Sequence, residues 1–329
     1  MHIRLIIALA AFAVTSAWPA RAQTPSTSSG QAYPNKPVRL IVPFPAGGGA
    51  DIFARLIGRK LQDNLGQTFI ADNRAGAAGI IGCEIVARAN PDGYTLLLGT
   101  TGTHSTNPAV YAKLPYDPLK DFSPISLIAE SPFVLLATPA LPVKSVKDLI
   151  AYAKARPGQL TYGSAGMGSS SHLGFELFNT MAGIKGVHVP YKGLPPSMTD
   201  VIGGQLNVTW NSISASAGAI KAGQVRAVGI GSAKRSALMP DIPTISESLP
   251  GYELGSWYGM FAPPGTPSAI VRQLHREIVK AIADPTVQQQ FAGLGAEPVG
   301  STPEAFKVVL QKDLVKWAKV AREANVKAE

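Results

Sequence analysis

The chain has one cysteine, Cys83, among 329 residues. A lone thiol cannot close an internal disulfide, so no covalent staple holds this fold. The residues around it, Ile80, Ile81, Gly82 and Glu84, supply no base to activate it. Cys83 is therefore expected as a small buried apolar group rather than a nucleophile. Charge is also sparse, at 16% of residues, and no five bases run together. That dispersal argues against a nucleic-acid surface, which needs clustered bases or interleaved aromatics. Catalytic signatures are missing as well. There is no Gly-x-Ser-x-Gly elbow, no Ser-x-x-Lys and no His-Glu-x-x-His zinc helix. His172 and Glu176 stand one helical turn apart, but two groups make no metal site. No cofactor or metal is expected.

Long apolar runs are absent too, except at the start. His2 and Arg4 open a short basic segment, and Leu5 to Trp18 is an apolar run of signal-peptide length. Ala20-Arg21-Ala22 reads as a cleavage site, so the mature chain is expected to begin at Gln23, with residues 23–32 as a flexible polar tether. The alternative, an uncleaved anchor, suffers from a run that is short for a bilayer. This leader predicts a periplasmic location. The formal charge of +9 falls by two units once Arg4 and Arg21 are removed. A scattered positive balance suits attraction of anionic solutes.

What the chain does have is glycine and proline, 33 and 27 residues, punctuating a regular alternation of elements. Val38–Val42 reads as a strand, residues 51–65 as an amphipathic helix, Phe69–Ala71 as a strand, residues 79–89 as a helix and Thr95–Leu98 as a third strand. After a turn-rich stretch from Pro115 to Pro124 the pattern restarts. Strands are expected at Phe133–Ala137, Leu160–Tyr162, Val187–Val189, Val208–Trp210 and Arg226–Ile230. Helices are expected from Ser145 to Lys154, over 171–182, from Pro195 to Ile202 and from Ser214 to Lys221. Gly259–Ala262 is a second extended crossing, and residues 268–283, 285–293 and 303–324 are helical. The order predicts mainly parallel, doubly wound α/β sheets in two units, with a cleft beyond the carboxyl ends of the strands.

The informative loops all fall at those strand ends. Pro43 to Asp51 follows a strand and opens a helix. Its backbone at Phe44, Ala46, Gly47, Gly48 and Ala50 can approach an anion at the helix's positive end. Asp51 reads equally as a cap of its own helix. It is not a P-loop, because no Gly-Lys-Ser/Thr follows. Gly163 to His172 repeats the plan, with Ser164, Gly166, Ser169, Ser170 and His172 as candidate contacts. Two such loops facing each other would neutralise an anion from both sides. Further candidates are Thr100, Thr101 and His104 after the third strand, Tyr191 and Gly193 around Lys192, and Asn211 with Ser212. Trp210 and Lys192 remain open between ligand wall and, respectively, core and solvent. His104, His188 and His275 also read as satisfied structural histidines. A serine-rich loop near His172 imitates a nucleophile and base.

The landmarks in these loops resemble a known family. They include Tyr33-Pro34 with Lys36-Pro37, Val42-Pro43-Phe44-Pro45-Ala46-Gly47-Gly48-Gly49, Asn73-Arg74 and Pro91-Asp92-Gly93-Tyr94. Leu114-Pro115-Tyr116-Asp117, Lys120-Asp121-Phe122, Tyr162-Gly163-Ser164-Ala165-Gly166 and His188-Val189-Pro190-Tyr191-Lys192-Gly193 follow, then Ser232-Ala233-Lys234-Arg235 and Phe261-Ala262-Pro263. In this order they resemble the Bug (TctC-like) family of solute receptors of tripartite tricarboxylate transporters. The resemblance implies a two-lobe Venus-flytrap of the type II periplasmic-binding class. Residues 33–130 with 256–329 would form lobe 1 and residues 131–255 lobe 2, with the C-terminal helices packing across both. It implies a monomeric, non-enzymatic receptor for a small di- or tricarboxylate or aromatic acid, held through backbone amides and ordered water and passed to a membrane permease. Asn211 stands where relatives commonly carry an acid, which favours plain carboxylates over amino acids. A ligand-sensing partner of a two-component kinase and a periplasmic hydrolase are the alternatives.

Overall fold

The computed structural model describes residues 33–191 and 193–327. The leader, its cleavage site and the whole tether expected from the sequence, together with Lys192, lie outside the described residues.

β1 (Val38–Val42) is β-branched and buried, and it enters α1 (Gly49–Leu65) through the glycine-rich loop. Phe53, Ala54, Ile57 and Leu61 recur at helical spacing and form the buried stripe of α1. β2 (Phe69–Asn73), α2 (Ile80–Ala87) and β3 (Thr95–Thr100) complete a parallel set in the order β2-β1-β3. A short helix, α3 (Asn107–Val110), leads to β4 (Ser123–Ala137). Then come α4 (Val146–Ala155), β5 (Thr161–Ser164), α5 (Ser170–Ala182), β6 (Val187–Pro190), α6 (Leu194–Ile202) and β7 (Val208–Ser212). Of these strands, β7, β5 and β6 form a second parallel set. α7 (Ile213–Lys221), β8 (Arg226–Ile230), β9 (Gly255–Ala262), α8 (Ser268–Ala283), α9 (Pro285–Gly293), β10 (Glu297–Pro298) and α10 (Pro303–Glu323) follow.

The two parallel sets are joined by antiparallel strands, so the mainly parallel sheet expected from the alternation holds only within each set. β4 is 15 residues long and belongs to both. Its first part pairs antiparallel with β9 as far as Pro132 opposite Gly255. From Phe133 onward it pairs with β7 and β8 instead. Proline has no N–H to donate, so a break in the ladder at Pro132 costs no hydrogen bond from its nitrogen. The sequence pattern hid the first part of β4 because Pro124, Ser126, Ser131 and Pro132 interrupt its apolar run. The second crossing also differs from expectation. β9 begins at Gly255, and the chain crosses just before it, where the Leu254 N–H donates to Gly231 O and the Gly231 N–H donates to Phe133 O.

Each set has its own core. Ile41, Leu97, Phe122, Leu127, Trp257 and Phe261 pack on one side of the switch. Leu135, Leu149, Tyr162, Phe175, Phe178 and Trp210 pack on the other. α10 contributes to both: Phe306 and Leu310 enter the first core, Trp317 and Val320 the second. Cys83 is fully buried in the first core, and burial pushes its thiol up to about 12. That is the inert buried thiol expected.

Phe306 is fully buried and seats its ring over Gly259, where any Cβ would collide with it at 2.1 Å. Its ring centroid lies 4.9 Å from that of Phe261. Phe306→Ala is expected to lower unfolding free energy by about 3–5 kcal/mol. Urea denaturation followed by circular dichroism checks this, and a loss below about 1 kcal/mol would contradict the role given to α10.

Candidate functional site

Four helices begin at the wall of one cleft. Their N-cap residues are Gly48 for α1, Ser169 for α5, Gly193 for α6 and Ser212 for α7. All four line a cavity of about 790 Å³. Gly49, Ala50, Ser170, Ser171, Leu194 and Asn211 line it beside them. Each helix follows the carboxyl end of a parallel strand, β1, β5, β6 and β7, which is why the four starts reach the same space. The first N–H groups of a helix have no partner inside it and carry the positive end of the dipole. At α6, however, Pro195 and Pro196 contribute none. At α5 and α7 the Ser169 and Ser212 side chains already accept the His172 and Ala215 N–H groups. Among the described residues, none that lines this cleft bears a formal charge. Its apolar wall is Phe44, Tyr111, Phe133, Met167 and Tyr258. A second cavity of about 750 Å³ lies between α1 and α9, lined by Arg55, Arg59 and Lys60, but none of the glycine-rich loops reaches it.

The first loop is held from behind. Asp51 is 4% exposed, and its Oδ2 accepts the Gly47 N–H at 2.9 Å. Its Oδ1 accepts from Asn73 Nδ2 at 3.0 Å and from Arg55 at 2.9 Å. Burial alone would raise its pKa, but the hydrogen bonds from Arg55, Gly47 and Asn73 outweigh it and hold the carboxyl below its ordinary value. Asp51 thus fixes the loop that precedes its helix and does not line the cleft. Gly48, by contrast, has φ −78° and open space where a side chain would grow, with Pro45 O the nearest atom at 3.6 Å.

The second loop spends its own amides internally. The Ala165 N–H donates to Ser171 Oγ, the Gly166 N–H to Ser164 Oγ, the Gly168 N–H to His172 Nδ1 and the Ser169 N–H to Gly166 O. The expectation that its glycines present N–H groups to an anion is therefore not met at Gly166 or Gly168. What remains on this side is the first turn of α5 and the side chains of Met167 and Ser170.

Of the residues singled out in the sequence, Phe44, Ala46, Gly48, Ala50, Thr100, Ser169, Ser170, Gly193, Asn211 and Ser212 line the cleft. Gly47, Asp51, Thr101, His104, Ser164, Gly166, His172 and Tyr191 do not. Thr101 Oγ1 accepts the Trp257 N–H and ties β3 to β9. Tyr191 donates to Asp200 Oδ2 at 2.6 Å. Trp210 is fully buried core. The Asn211 Oδ1 accepts the Ser212 N–H at 2.9 Å, which leaves its amide hydrogens as the group it can offer. Sequence reasoning missed Ser131, Phe133, Ser256 and Tyr258, which reach the cleft from the two crossing strands, and also Tyr111 and Met167. Locating Pro132 opposite Gly255 would have found the first four, because the residues flanking a switch between ladders face the gap between them.

The family profile described as tripartite tricarboxylate transporter family receptor matches residues 53–326. The chain belongs to this family. Protein BugT of Bordetella pertussis is 37% identical over 91% of this chain and 92% of its own length. Among solved structures, Rpa4515 of R. palustris with adipate is 40% identical, covers 90% of this chain and 99% of its own, and superposes with a TM-score of 0.79. MatC (Rpa3494) from Rhodopseudomonas palustris with bound malate is 34% identical, covers 88% and 99%, and has a TM-score of 0.75. The resemblance to Bug proteins read from the loops is borne out, and so is the two-lobe, type II periplasmic-binding fold. The first lobe is built on β2-β1-β3, the second on β7-β5-β6. No helix among the described residues is long and apolar enough to cross a membrane.

In this receptor His104 and His172 are buried and His188 is partly buried. His104 is fully buried, stacked 4.1 Å from Phe261 and bonded through Nδ1 to Thr103 Oγ1, and burial pushes its pKa down to about 3. His172 and His188 stack face to face with centroids 3.8 Å apart. His188 Nε2 lies 2.6 Å from Ser164 Oγ, the spacing of a nucleophile and its base. Ser164 is fully buried and absent from the cleft wall, so its hydroxyl does not face the cleft. Burial lowers both histidines to about 4, with mutual repulsion adding to the shift at His172.

Unfolded, these imidazoles titrate near 6.5, so the unfolded chain binds more protons between that value and about 4. Their contribution to stability is complete above the upper limit and is lost as pH falls through the window. Unfolding free energy from urea titrations should drop between about pH 7 and about pH 5, and His188→Gln should flatten that drop. An unchanged slope in the variant would contradict the assignment.

Proposed function

We propose that this protein is an exported receptor that binds a small organic carboxylate in the interlobe cleft and delivers it to the membrane permease of a tripartite tricarboxylate transporter. The observation that carries this reading is the convergence of four helix starts on one cleft whose described lining residues bear no formal charge. Amides at helix starts favour anions through partial charges and direct hydrogen bonds. Gly48, Gly49 and Ala50 serve one carboxylate from lobe 1. Ser170, Gly193, Asn211 and Ser212 serve the opposite end from lobe 2. No carboxylate lines the described cleft, so a ligand ammonium group finds no ionic partner. That supports dicarboxylates, tricarboxylates or aromatic acids over amino acids. The relatives bound to adipate and malate support the same class. Residues 33–130 with 256–329 act as one lobe and 131–255 as the other, and the lobes close about the segments near Pro132 and Gly255.

A thermal-shift screen of organic acids is expected to raise the melting temperature with at least one of them, because the ligand binds only the folded state. At a hundredfold excess over Kd the gain is about 2.7 kcal/mol. Gly48→Val is expected to fold normally, since its φ is ordinary and its Cβ meets open space, and to abolish that shift. Retained binding in a folded Gly48→Val variant would remove the first loop from the site.

A further inference from the structure

A half-exposed methionine on a surface loop needs no explanation by itself. Met167 differs in three ways. It is 53% exposed, and of the large hydrophobic side chains exposed on the described chain it is the one that lines the cleft. It sits between Gly166 at φ +124° and Gly168 at φ +71°, a backbone that other residues rarely adopt. And the loop on either side is clamped. Gly166 O accepts from Ser169 Oγ at 2.7 Å and from Ser164 Oγ at 3.1 Å. The Gly168 N–H donates to His172 Nδ1 at 3.1 Å, and a Cβ on Gly168 would meet Val110 at 2.8 Å.

The loop therefore commits its own amides to itself, and what it offers the cleft is one apolar side chain on a fixed stem. We propose that Met167 is a specificity-determining residue that recognises the hydrocarbon part of the ligand and favours carboxylates with an unsubstituted aliphatic spacer over short hydroxylated ones. This rests on the carboxylate reading above and adds the part of the ligand that amides cannot read. The unbranched thioether is flexible and polarisable, so it can settle against spacers of different length as the lobes close. Phe44 and Phe133 give the spacer its other apolar contacts. A polar hydroxyl set against the thioether would lose its water without gaining a partner.

The test is calorimetric titration of the full mature chain with succinate, glutarate, adipate, pimelate and malate, comparing wild type with Met167→Ser and Met167→Leu. In the wild type, affinity is expected to rise by roughly two- to fourfold for each added methylene that becomes buried. Met167→Ser should flatten that rise, cost adipate about tenfold and change malate by less than about twofold, while Met167→Leu restores the rise. An equal loss for all five acids, or no change for any, overturns the role of Met167 and leaves the carboxylate reading standing. Failure of the wild type to bind any of the five, with its fold intact, overturns the spacer preference, and the carboxylate reading falls with it only if the wider screen of organic acids is negative as well.

Discussion

The whole arrangement depends on helix-start amides that must be left without internal partners and yet must not be loose. An N–H group that a side chain has capped cannot serve a ligand, and an uncapped loop is free to wander. The structure meets both demands by holding the loops from behind. Asp51 grips the Gly47 N–H from inside α1, with Asn73 and Arg55 fixing the carboxylate in turn. In the other lobe His172 and Ser164 hold the loop backbone, and the stacked His188 and Tyr162 rings stand behind them. This explains why polar residues that look like ligand contacts in the sequence lie one layer deeper. They hold the loops in place, while at the front Ser169 and Ser212 cap only the third amide of α5 and α7.

The proposed function makes a second demand, that the two sets of amides face one another across a gap that closes on the ligand. One strand shared by two sheets satisfies it. β4 passes from one ladder to the next at Pro132, opposite Gly255, where the proline nitrogen has no hydrogen bond to lose. α10 spans the same junction from outside. Trp257 Nε1 donates to Asp313 on that helix at 2.8 Å, while Trp317 lies four residues further along in the core of the second lobe. A helix rooted in both cores would limit the proposed closure to bending about the crossing segments, because sliding would pull Phe306 or Trp317 out of its core.

Much of this was legible in the sequence, because apolar periodicity reports burial and burial made most of the elements. β1, α1, α5 and α10 fall within a few residues of where alternation and helical spacing put them. The first part of β4 did not, since its prolines and serines break the apolar pattern: Ser131 lines the cleft, while Ser126 is buried and donates to Ser301 O. Within the candidate site, glycine-rich strand ends marked the right loops. Which atoms of those loops face the cleft depends on hydrogen bonds between residues far apart in sequence, such as Asn73 to Asp51 and His188 to Ser164. No local pattern records those.

A cleft whose described lining residues bear no formal charge also has an energetic logic as an anion site. A guanidinium in the gap would have to shed water each time the lobes closed, and that cost can exceed the attraction it brings. Without ligand it would pair with whatever carboxylate came near. Backbone amides carry only partial charges and are fixed by the helices that bear them, so closing over a carboxylate replaces water with preformed donors. The selectivity of such a site cannot come from charge, because every carboxylate presents the same charge to the same amides. On the reading proposed above, it comes from what lies between the carboxylates, where Phe44, Phe133 and the methionine between two glycines line the cleft.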